Sequence, residues 1–204
     1  MAPLRTRQAS TSPPAPPTMA KTPPQLQTRR LLLRAFSLAD ASRVRRLADD
    51  SAVASTTIHI PHPYADDMAE QWIQTQQERY EKGHEVCFAV VLRSRNLLIG
   101  TIGLRLNLRH SRAELGYWIG KPYWNRGYAS EAADAVLGYG FETLGLHRIC
   151  AYHFRRNPAS GRVLQKIGMT HEATLRQHTS KWGRFEDLEG YGILRSEYEA
   201  RRSR

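Results

Sequence analysis

Pro122-Tyr-Trp-Asn-Arg-Gly-Tyr-Ala-Ser-Glu131 is the stretch on which the reading of this 204-residue chain turns. A strand-like run, Ala113–Ile119, leads into it. After it the apolar residues fall at Ala129, Ala132, Ala133, Val136, Leu137, Gly140, Phe141 and Leu144. Those steps of three and four describe one stripe of an α-helix about four turns long. A strand, a glycine-containing turn and a helix that opens on small residues leave unpaired amide N–H groups and the positive end of the helix dipole facing outward. Gly127 and Ala129 are small enough for a phosphate to approach the backbone, and Ser130 can add its hydroxyl. The turn is expected to hold the diphosphate of a nucleotide-like cofactor.

Working outward, Arg30–Arg34 reads as a short strand. Ser37 caps a helix running to about Asp49, and a second helix covers roughly Ala65–Lys82, ending before Gly83. Val86–Leu92 and Leu97–Leu106 form a hairpin, and Ala113–Ile119 adds a neighbouring strand. Beyond the central helix, Arg148–Phe154 is a strand. Asn157, Pro158 and Gly168 mark the two ends of a compact helix. His171–Gln177 and Phe185–Leu194 close the sheet, joined by Lys181-Trp-Gly-Arg184, and a short charged helix ends the chain. The order predicts an α/β fold with one mixed sheet.

Residues 1–27 are rich in Pro, Ala, Ser, Thr and Gln and are expected to be a disordered tail ahead of a domain over 28–204. Translation starting at Met19 is an equal alternative. The net charge of +11 suits phosphate-bearing cofactors, nucleic acid or acidic ribosomal surroundings. The aromatic residues do not cluster with the basic ones as a stacking platform requires, so nucleic acid is not the expected substrate. No apolar run approaches a membrane span. Cys87 and Cys150 lie in apolar runs without partners at metal-ligand spacing, which points to core residues in a reducing cytoplasm. His59 and His62 lack a third ligand, so no metal is expected.

Tyr123-Trp-Asn-Arg-Gly-Tyr-Ala-Ser-Glu-Ala132, Asn157-Pro-Ala-Ser160 and Lys166-Ile-Gly-Met169, in this order of elements, resemble the GCN5-related N-acetyltransferases over about residues 28–200. Thr28–Arg34 and Pro61-His-Pro-Tyr64 resemble the branch that acetylates the N-termini of ribosomal proteins. The resemblance implies a mostly antiparallel sheet of six to seven strands flanked by about four helices, with a splayed central strand pair. It implies acetyl-CoA as donor and no metal. The pyrophosphate would lie on Asn125, Arg126, Gly127, Tyr128, Ala129 and Ser130. The family signature usually opens with Gln or Arg, where this chain has Trp124. The pantetheine arm would bond the backbone of Tyr117, Trp118 and Ile119, like an added half-strand. Asn157 would contact the cofactor as well as cap its helix.

Acetyl transfer to an amine needs the neutral nucleophile, and an α-amino group with a pKa of about 8 asks only a modest base. Glu114 is the first candidate and Asp187 the second. The alternative readings are an exposed acid at a strand start and a loop-fixing acid. Many branches carry a tyrosine seven residues after the capping Asn. That position is Leu164 here, and Ser160 is the substitute donor for the leaving thiol. His59, His62, Tyr64, Trp72 and Trp182 are expected to line the acceptor side. A protein N-terminus is the leading acceptor and a small amine the alternative, a non-catalytic acyl-CoA-binding module is the competing reading from another class, and a homodimer is compatible with each.

Overall fold

The computed structural model describes residues 20–203. The expected tail up to residue 19, and with it the alternative start at Met19, lies outside the described residues. Eight strands form one sheet in the order β1-β2-β3-β4-β5-β6-β8-β7. These are β1 (Leu26–Gln27), β2 (Leu31–Arg34), β3 (Glu85–Leu92), β4 (Leu97–Asn107), β5 (Arg112–Ile119), β6 (Arg148–Phe154), β7 (Thr170–Lys181) and β8 (Arg184–Leu194). Every pairing is antiparallel except β5 with β6. The strand beyond the seven expected is β1, whose two residues pair with Leu32 and Leu33. It falls inside the stretch read as tail because two residues carry no readable alternation.

Helices α1 (Ala41–Ala48), α2 (Ser51–Ser55) and α3 (Met68–Glu81) precede β3, α4 (Tyr128–Gly138) and α5 (Pro158–Lys166) flank β6, and α6 (Arg195–Arg202) closes the chain. The short α2 follows α1 directly, and Asp50 caps it by accepting from the Ala52 amide at 2.8 Å. The predicted stripe of α4 runs on into a π-helical turn, Tyr139–Thr143. There a Cβ on Gly140 would come within 2.7 Å of Ile149. One face of the sheet packs on α4, α5 and α6, burying Leu104, Leu115, Val136, Leu137, Phe141, Leu164 and Tyr198. The other face packs Ala89, Val91 and Leu98 against Val44, Leu47 and Ile73 of α1 and α3. The two faces therefore carry different helices.

Glu131, in the first turn of α4, ties that helix to the start of β2. It accepts from the Thr28 hydroxyl (2.6 Å), the Arg30 amide (2.8 Å) and Arg30 Nε (2.6 Å). Burial alone would raise its pKa, but these bonds outweigh it and hold the carboxyl below its ordinary value. The folded-state pKa is depressed, so the stabilisation is present above the unfolded value of about 4.3 and is lost as pH falls through the folded one. Glu131→Gln should lower stability near neutral pH by about 1–2 kcal/mol, or about 4 °C in melting temperature. It should also flatten the acid limb of a melting-temperature profile below pH ~4.

Candidate active site

The parallel pair β5–β6 is in register only from Arg112/Arg148 to Leu115/Ala151, after which the strands part. The gap opens into a cleft of about 640 Å³ that reaches both faces of the sheet. Which backbone groups face it follows from the ladder on the other side of β5. Gly120 N–H donates to the Ile99 carbonyl, so alternation turns Trp118 toward Thr101 on β4 and leaves Tyr117 and Ile119 facing the gap. Consistently, a Cβ on Gly100 would lie 2.2 Å from the Trp118 carbonyl oxygen. Of the three residues expected to offer backbone bonds there, Trp118 is thus spent on the sheet. The Ile119 carbonyl is already met by the indole N–H of Trp124. The amide of Ile119 and both backbone groups of Tyr117 are left toward the cleft.

At the end of the gap, Asn125 (φ 58°) and Gly127 (φ 74°) take left-handed conformations that bend the chain into α4. The first helical bond runs from the Glu131 amide to the Gly127 carbonyl. Among the described residues no acceptor meets the amides of Gly127 through Ser130, so the turn presents the unpaired N–H groups expected of it. Asn125, Gly127, Tyr128, Ala129 and Ser130 line the cleft, while the exposed Arg126 side chain does not. Arg126 serves through its carbonyl, which accepts from Arg30 Nη1 at 2.9 Å. The Arg30 guanidinium also lies 4.5 Å over the Tyr128 ring, so a cation from another element flanks the turn that Trp124 does not charge. Gly127→Val should weaken CoA binding about tenfold or more by calorimetric titration. A β-branched side chain is strained at that φ and fills the space a phosphate needs.

Asn157 caps α5, its side chain accepting from the Ser160 amide at 3.4 Å. The hydroxyls of Ser160 and Tyr117 lie 2.7 Å apart, and both residues line the cleft. Burial pushes the Tyr117 phenol up to about 12, opposed by its bond to Ser160, so it stays a hydrogen-bond donor at neutral pH. Leu164 is fully buried in the core, away from the role a tyrosine there would play. Glu114 lines the cleft with its carboxylate half-exposed and 3.8 Å from Arg105. Asp187 is not among the lining residues. Its carboxylate accepts from the Gln177 amide at 2.8 Å and faces Arg155 at 3.5 Å, bracing the bulge of β7.

The side of the cleft expected to take the acceptor is walled by the loop between α2 and α3 and by α3 itself. His59, Tyr64 and Trp72 line it together with Ile58, Ile60 and Met68. His62 and Trp182 do not line it. Their rings approach each other at 6.1 Å, and His62 Nδ1 stands 3.5 Å from Asp49. Trp182 and Gly183 have positive φ (51° and 76°) and form the tight turn between β7 and β8. That turn aims Lys181, 6% exposed, at the wall, where its Nζ donates to the Ile60 carbonyl at 2.5 Å. Arg156 donates to the Ser55 carbonyl at 2.7 Å. Neither anchor was legible as such in the chain, since each bridges about a hundred residues. Cys87 is half-buried on the cleft floor rather than in the core, and its thiol is pushed up to about 12, chiefly by burial.

The sequence and architecture agree with known proteins. A family profile described as an acetyltransferase (GNAT) domain matches residues 30–170. An uncharacterized N-acetyltransferase, YoaA of Bacillus subtilis, is 35% identical over 173 residues, covering 84% of this chain and 97% of that one. Two solved structures share the fold. One is spermidine N-acetyltransferase from Vibrio cholerae in complex with CoA and spermine (TM-score 0.74, 24% identity, 84% and 99% covered). The other is RimL, a ribosomal L7/L12 alpha-N-protein acetyltransferase, in complex with CoA (TM-score 0.77, 16% identity, 84% and 98% covered). With the profile spanning most of the chain, a relative 35% identical over 84% of it, and a sheet that parts beside the start of α4, the protein belongs to the GNAT family of acetyl-CoA-dependent N-acetyltransferases.

Proposed function

We propose that the protein transfers the acetyl group of acetyl-CoA to the α-amino group of a peptide or protein N-terminus. The turn Asn125–Ser130 and the free backbone groups of Tyr117 and Ile119 hold the donor, Glu114 takes the amine proton, and Ser160 donates to the departing sulfur. The observation that carries the acceptor class is the wall it meets. Ile58, Ile60, Tyr64, Met68 and Trp72 are apolar or aromatic. Both acids that line the cleft stand beside arginines, Glu85 at 2.8 Å from Arg79 and Glu114 at 3.8 Å from Arg105. A polyamine would need unpaired carboxylates at the spacing of its ammonium groups, and a chain of charge +11 repels it at long range. A ribosomal protein is a member of the class favoured here, as a partner with acidic surroundings.

The test is thiol release from acetyl-CoA with a panel of peptides of varied first residue, with spermidine and simple alkylamines alongside. Peptides should be turned over with kcat/KM at least tenfold above spermidine. A preference for spermidine would overturn the acceptor assignment. Thiol release with no amine above the rate in water would overturn the transfer reading altogether.

A further inference from the structure

Gly116 lies mid-strand in β5, where glycine costs about 0.5–1 kcal/mol relative to alanine. Its φ is not positive, so the backbone does not require glycine. Packing does not require it either, for a Cβ built there meets nothing within 4 Å. Its cross-strand partner Gly103 is different, because a Cβ there would stand 2.5 Å from the Val86 carbonyl oxygen. The space over Gly116 is part of the cleft.

Which ligand uses that space follows from the pleat. Leu115 and Ile119 pack with α4 and α5, on the face that carries the start of α4 and Ser160. Glu114, Gly116 and Trp118 point to the opposite face, where Trp118 packs with α1 and α3 beside the acceptor wall. Glu114 is one rung away on this face, about 7 Å along the strand. An amine that gives its proton to Glu114 therefore has the substituents of its carbon over Gly116.

We propose that Gly116 makes the room for a branched amino-bearing carbon, as at a peptide N-terminus, and so sets the upper limit on the size of the acceptor's first residue. The inference rests on the proposed transfer to an α-amino group. It adds a residue that fixes specificity without touching the donor.

The experiment compares Gly116→Ala and Gly116→Val with the unsubstituted protein. The readouts are CoA affinity by calorimetric titration and kcat/KM for peptides that differ only at the first residue. Both variants add strand-compatible side chains into open space, so melting temperatures should be kept or raised. CoA affinity should stay within about twofold. For the bulkiest first residue the unsubstituted protein accepts, Gly116→Val should lower kcat/KM by ~10–100-fold, and for glycine-first peptides by less than about threefold. Gly116→Ala should fall between. Equal losses across the series, no loss at all, or a fall in CoA affinity matching the fall in turnover would each overturn the proposal. Silence of the unsubstituted protein toward the whole panel would instead sink the transfer reading on which it stands.

Discussion

Glu114→Gln should lower the rate of acetyl transfer to a peptide α-amine by about 100-fold at pH 6 and by only a few-fold at pH 9. The sign and the window follow from the acceptor rather than from the carboxylate. An α-amino group with a pKa of about 8 is neutral in roughly one molecule in a hundred at pH 6. A base in the cleft lets the protonated majority react, and without it only the neutral fraction does. Above pH ~8 the amine is already neutral and the base has little left to do. Glutamine keeps the volume and the half-exposed position of Glu114 over β5, so packing is preserved. Rates at saturating acetyl-CoA, followed by thiol release from pH 6 to 9, decide the matter. A loss independent of pH would assign Glu114 to orienting the acceptor, and an unchanged rate would place the base elsewhere. Asp187→Asn is the control: its carboxylate braces Gln177 outside the cleft, so it should cost stability while leaving the pH profile in place.

How much of this was legible in the chain can be seen at particular residues. The turn at Gly127 and the cap at Asn157 were readable because each is a local event, a positive φ or a side chain bonding an amide three residues on. The order of strands along the chain was readable except for β1, which is too short for alternation to register, whereas the placing of β8 between β6 and β7 was not. What sequence could not supply were contacts set by register. Trp124 stands where the family usually has Gln or Arg, and only the fold shows its indole closing the end of β5 on the Ile119 carbonyl. Arg30 reads as the edge of a strand, yet it reaches 101 residues along the chain to Glu131 and lies over Tyr128. His62 and Trp182 were expected to line the acceptor side, yet neither lines the cleft. They face each other outside it because the β7–β8 turn commits Lys181, rather than Trp182, to the wall. Trp118 fails as a backbone ligand for a simpler reason, the two-residue period of the ladder.

Ser160→Ala should slow acetyl transfer by ~10–100-fold, Tyr117→Phe by ~3–10-fold, and the double substitution by no more than Ser160→Ala alone. The two hydroxyls are 2.7 Å apart and sit on different elements, β5 and α5. Tyr117 is too reluctant an acid to give up its proton, its phenol being pushed up to about 12 mainly by burial. It can donate a hydrogen bond to Ser160 Oγ, which leaves the serine proton to point into the cleft at the departing sulfur. Tyr117 is then a positioning residue that acts through Ser160. The effects are modest because a thiol with a pKa of about 8.5 leaves tolerably well as thiolate at neutral pH. Non-additivity is the decisive readout. Two residues on one path show a coupling close to the whole effect of the weaker substitution, whereas independent donors add. If Tyr117 merely packed, Tyr117→Phe would keep the transfer rate and change stability alone. If both hydroxyls reached the sulfur separately, the double substitution would cost the product of the two losses. The cycle should be measured at pH 9, where Glu114 has little left to contribute, so that the loss at the leaving group is not confounded with the loss at the amine.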